Sequence, residues 1–137
     1  MGMYTEVFFR AVLRDDTPAE IIDLISKWIE GVAGDPPEAD LPDHPLFSCA
    51  RWRVLPIMNS DYHLSGGATL ARLPWGAHLV FTFHSSIKNY GGEAEKFFDW
   101  ISPYTEGHGG EFLGYTLYEE DDVPILFVRN ETPGGVV

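Results

Sequence analysis

Two stretches of this chain carry the same helical stripe 73 residues apart, and each follows a strand-like run. In "DTPAEIIDLISKWIEG" the residues Ile21, Leu24, Ile25, Trp28 and Ile29 fall at i, i+3, i+4, i+7 and i+8; in "KNYGGEAEKFFDWISPY" Ala94, Phe97, Phe98 and Ile101 repeat the first four positions. That spacing gives each helix a single apolar stripe, which has to be buried against another element. The runs before them, "YTEVFFRAVL" and "HLVFTFHSS", are aromatic and β-branched, as strands are.

Local punctuation sets the boundaries. Thr17 is the expected N-cap of the first helix, with Pro18 at its first position and Glu20 completing a capping box, and Gly31 and Gly34 end it. Pro103 stops the second helix. Between them "GDPPEADLPDHP" reads as a loop, "LFSCARWRVLPI" as a strand, and "YHLSGGATLARL" as a weaker strand bent or broken at Gly66 and Gly67. "EFLGYTLYEEDDVPILFVRN" reads as two strands joined by an acidic turn, with "ETPGGVV" as a frayed tail.

The expected fold is therefore α+β: a tandem βαββ repeat, with halves at about 4–73 and 78–130, forming a mainly antiparallel six-stranded sheet with two helices on one face. The helices align at an offset of 73 and the opening strands at 72, placing Phe9 on Phe81; a one-residue difference in the connecting turn accounts for this. The alternative is that two ordinary strand–helix segments match by chance. With 137 residues, 45% of them hydrophobic, the chain is expected to be a single domain over 1–137.

Strand alternation then assigns the faces. In the first strand Val7, Phe9, Ala11 and Leu13 form the apolar set, leaving Glu6, Phe8 and Arg10 on the other side; around residue 82 the mixed set is Thr82 and His84. Reading "CARWRV" as a strand puts Arg51 and Arg53 with Arg10 on the open face. The expected binding residues are Phe8, Arg10, Arg51, Arg53, His84 and Tyr118, because arginine among aromatics is the composition of binding hot spots. An ordinary solvated face with cross-strand Glu–Arg pairs is the alternative.

A net charge of −12, from 21 acids against 9 bases, repels phosphate and argues against direct nucleic-acid binding. Cys49 is the only cysteine, so no internal disulfide forms. The lack of a leader-like N-terminus or an 18-residue apolar span predicts a cytoplasmic location without membrane association.

Chemical motifs are sparse. The histidines at 44, 63, 78, 84 and 108 show no metal-ligand spacing, Cys49 reads as a small buried hydrophobe, and Ser85 and Ser86 lack a nucleophile elbow. "GHGGEF" lacks the Lys-Ser/Thr of a phosphate loop, and Glu119–Asp122 lacks the alternating ligand pattern of a calcium loop. "PDHP" reads as a rigid loop in which Asp43 or His44 bonds the backbone. In "KNY", Asn89 suits a left-handed turn and Tyr90 staples the loop to the second helix. No catalytic residue, metal or cofactor is expected.

The set "YTEVFFRA…DTPAEII", "PDHPLF", "SCARW", "KNYGGEAEKFFDWISPY" and "FLGYTLYEED" resembles a family of small bacterial and phage proteins with no assigned activity. The resemblance spans nearly the whole chain; it implies a bacterial or phage setting and supplies no site residues. In topology alone, doubled strand–helix–strand–strand modules are similar to gyrase-inhibitor-like small-molecule-binding domains, whose sequence motifs this chain lacks. Three functions are carried forward. The first is a non-catalytic interaction protein using the open face for a protein partner or a homodimer. The others are a small-anion binder and an acidic decoy of a DNA-binding protein.

Overall fold

The computed structural model describes residues 3–31, 41–59, 67–74, 76 and 78–130. It contains five strands, β1 (Thr5–Leu13), β2 (Gly67–Arg72), β3 (Leu79–Ile87), β4 (Phe112–Tyr118) and β5 (Ile125–Val128), and two helices, α1 (Ala19–Glu30) and α2 (Glu93–Ile101). The strands form one antiparallel sheet in the order β2-β3-β1-β4-β5. Because β3 separates β1 from β2, and β1 separates β3 from β4, the chain forms two interleaved split β-α-β units, with β5 added as a hairpin strand at one edge.

The alternation read from the sequence holds in the two central strands. Val7, Phe9 and Leu13 of β1 and Phe81 and Phe83 of β3 are buried in one cluster with Leu24, Ile25 and Trp28 of α1 and Phe97, Phe98 and Ile101 of α2. Phe97 meets Phe9 edge-on at 5.0 Å between ring centroids and Phe83 at 5.1 Å, while Trp28 lies 5.9 Å from Phe97. Both helices therefore cover the same face. At the β5 edge, Phe127 stacks on Phe98 at 4.3 Å. Gly114, opposite Phe9 across the β1–β4 pair, has no room for a side chain, since a Cβ there would run into the Phe8 carbonyl.

Several expectations need correction. The sheet has five strands, because "LFSCARWRVLPI" is not one: Pro45–Ser48 and Trp52–Val54 are 3-10 turns. Leu46 and Phe47 are both buried although adjacent, and Trp52 and Leu55 are buried three residues apart, which a strand with one covered face cannot achieve. The second half thus runs strand–helix–strand–strand, and the first strand–helix–strand among its described residues. Thr17 does not cap α1; its hydroxyl donates to the Arg14 carbonyl, and Pro18 is the capping residue with no side-chain bond. Asn89 is not left-handed, as Gly92 takes that conformation, and Asn89 instead accepts the Ala94 N–H through its side chain. Tyr90 is 62% exposed. The loop over 34–40, the start of the 62–73 strand with His63, and the tail 131–137 lie outside the described residues.

Candidate functional site

The sheet face away from the helices carries one polar cluster on its central strands. Register places Phe8 between His84 of β3 and Tyr115 of β4, with Glu6 two residues along β1 on the same face. Glu6 Oε2 accepts the Tyr115 hydroxyl at 2.6 Å and contacts His84 Nε2 at 2.5 Å. With Glu6 ionised, the second contact is a hydrogen bond only in a form of His84 that carries a proton on Nε2.

Phe8 completes the cluster, stacking on Tyr115 at 5.6 Å and meeting His84 edge-on at 6.2 Å. Burial, then the hydrogen bond and negative charge of Glu6, push the Tyr115 phenol up to about 12. These contacts fix three ring side chains from three adjacent strands into a rigid platform. Around it lie the exposed apolar residues Phe112, Leu126 and Val128, which the β4–β5 register places on the same face, and Arg10, opposite Thr82.

Of the six residues expected to share this face, the fold brings together Phe8, Arg10 and His84. Arg51 and Arg53 leave it with the 3-10 segment: the Arg51 guanidinium lies 5.1 Å from the Tyr90 ring centroid, and that of Arg53 lies 5.1 Å from Trp52. Tyr118 pairs with buried Thr5 and so belongs to the helix-covered side, at the sheet margin. Neighbouring acids, after burial, raise its phenol pKa. Sequence reasoning missed Tyr115. Alternation in "FLGYTLY" separates it from Tyr118, but only the register shows which of the two meets Glu6.

A second feature is a cleft of about 570 Å³ between the 42–44 loop, the end of α2 and Arg129. Its His44–Asp99 pair is 2.9 Å apart at Nε2, while His44 Nδ1 accepts the Leu46 N–H at 3.1 Å. Both ring nitrogens hold the loop in place, and the Nδ1 bond to the backbone is the one the reading of "PDHP" anticipated. Cys49 is not a core residue of a strand; it is partly exposed after a 3-10 turn, with Lys96 Nζ 3.4 Å from its sulfur. Among the described residues, no group of three or more His, Cys, Asp or Glu side chains is placed to hold a metal ion, and no helix is long and apolar enough to cross a membrane.

Comparisons with protein-family models, with curated proteins and with solved structures found no match to this chain.

Proposed function

We propose that this is a non-catalytic interaction protein whose working surface is the open sheet face, used against a protein partner or a second copy. The observation that carries the reading is the Glu6–His84–Tyr115–Phe8 platform, an ordered aromatic surface continuing into exposed Phe112, Leu126 and Val128. Rigid aromatics lose little entropy on association, and an exposed apolar patch with a polar rim is the usual form of a docking surface. The anion-binding alternative has less support, because its three arginines do not gather: Arg51 and Arg53 lie over Tyr90 and Trp52, away from Arg10. On the same reading the chain is a bacterial or phage product of the cytoplasm, and its halves descend from one βαββ unit, a descent supported by the matching helical stripes.

The test is site-specific photocrosslinking with benzoylphenylalanine at Thr82, on the open face, and at Asp23, on the outer side of α1, both in purified protein and in cells making it. Adducts from position 82 and none from 23 are expected. Equal labelling from both positions, or none from 82, overturns the proposal.

A further inference from the structure

We infer that the occupant of the open face is a second copy of this chain, packed face to face about a two-fold axis through Phe8. The inference rests on the interaction reading above and specifies its partner.

Charge is unevenly distributed over the fold. Among the described residues, Glu6 is the one acid that lies in a strand, and the other described acids sit on helices, loops and the β4–β5 tip, in a chain of net charge −12. A strongly acidic protein repels its own copies everywhere except across such a face. Charges along β1 are also ordered. Glu6, Phe8 and Arg10 point to the same side, reading negative, aromatic, positive. A two-fold axis in the interface plane, perpendicular to β1 at Phe8, sets Glu6 of each copy against Arg10 of the other and Phe8 against Phe8. This makes the strand self-complementary, as an isologous interface requires.

Geometry permits the contact. Facing sheets lie about 10 Å apart, a gap that an arginine and a glutamate span together. An interfacial sheet angle of about 30° displaces residues two places from the axis by only ~3.5 Å. Strands of 9, 6, 9, 7 and 4 residues, at ~3.3 Å per residue and ~4.8 Å spacing, offer roughly 550 Å² per copy. That approaches the ~600 Å² that each partner contributes at the lower end of stable interfaces.

The experiment is sedimentation equilibrium of the full chain across a concentration series, with paired charge reversals. Wild type should rise from 15.4 kDa toward twice that mass. Arg10→Glu alone and Glu6→Arg alone should each weaken association at least about tenfold, since each sets like charges together twice. An equimolar mixture of the two should associate again, because every cross-contact then pairs opposite charges. Glu6→Arg also removes the bonds to His84 and Tyr115. If it does not fold, a Phe8→Cys, Cys49→Ser chain treated with a short bismaleimide replaces it: covalent dimers are expected from position 8 and none from a Thr69→Cys control. A wild type that stays monomeric throughout overturns the self-pairing, while Thr82 adducts to another protein would still uphold the face as a docking surface. A dimer indifferent to both reversals but dissociated by Ile125→Lys, on the β5 edge, overturns both readings.

Discussion

The Tyr115 hydroxyl donates to Glu6 Oε2 at 2.6 Å across the β1–β4 pair. Its phenol is held at about 12 by burial first and by Glu6 second. A tyrosine raised above its unfolded value of about 10 stabilises the fold fully below that pH, and the contribution is lost as pH rises through the folded value. Wild type should therefore lose more stability between about pH 10 and 12 than Tyr115→Phe, in which the raised Tyr118 phenol remains, read by urea melts across that range. At neutral pH Tyr115→Phe should cost about 1 kcal/mol, since the Phe8 stack survives and one hydrogen bond is lost. Identical pH profiles for the two proteins would mean that the fold does not raise the Tyr115 phenol.

Glu93 is fully buried and accepts backbone N–H groups from Arg51 at 3.1 Å and Gly91 at 3.0 Å. It clips the 3-10 segment to the start of α2. Glu93→Ala leaves two donors without their acceptor and should cost about 2–3 kcal/mol, whereas Glu93→Gln keeps one acceptor oxygen and should cost less. Denaturant melts of both variants check the order. Equal costs would mean that the carboxylate packs and does not clip.

Phe98 is 4% exposed and stacks on Phe127, so it links α2 to the edge strand as well as to Phe9. Phe98→Ala should cost on the order of 3–5 kcal/mol by cavity formation and loss of the transferred ring. Urea unfolding with a loss below about 1 kcal/mol would place the ring outside the core. Hydrogen exchange in β5 should quicken more than in β3, because β5 loses its main cover.

Arg51 lies over the Tyr90 ring before α2, and Arg53 over the Trp52 ring of its own 3-10 segment. Replacing both with alanine should cost about 1–2 kcal/mol in thermal or urea melts, from two cation–π contacts and their packed stems. Face-dependent association should be unchanged, as neither residue lies on the sheet. A variant that melts like wild type but fails to associate would restore them to the binding surface.

What the sequence determined by itself is local. Stripes at helical spacing fixed α1 and α2, and alternation fixed which sides of β1 and β3 are buried, because both patterns arise from backbone period alone. The acidic turn between β4 and β5 was legible for the same reason. The segment 46–57 was not: "CARWRV" alternates as a strand does, yet burying Leu46, Phe47, Trp52 and Leu55, with Trp52 on Trp28 and Phe47 on Trp100, favours 3-10 turns, and that choice depends on a surface supplied by other elements. Nor does any local rule specify strand register across residues 78 or 109 apart. The meeting of Glu6 with Tyr115 and His84 therefore waited on the tertiary structure, where the core packing of Phe9 against Phe81, Phe83 and Phe97 locks β1 between its neighbours. A one-residue slip would turn that core outward.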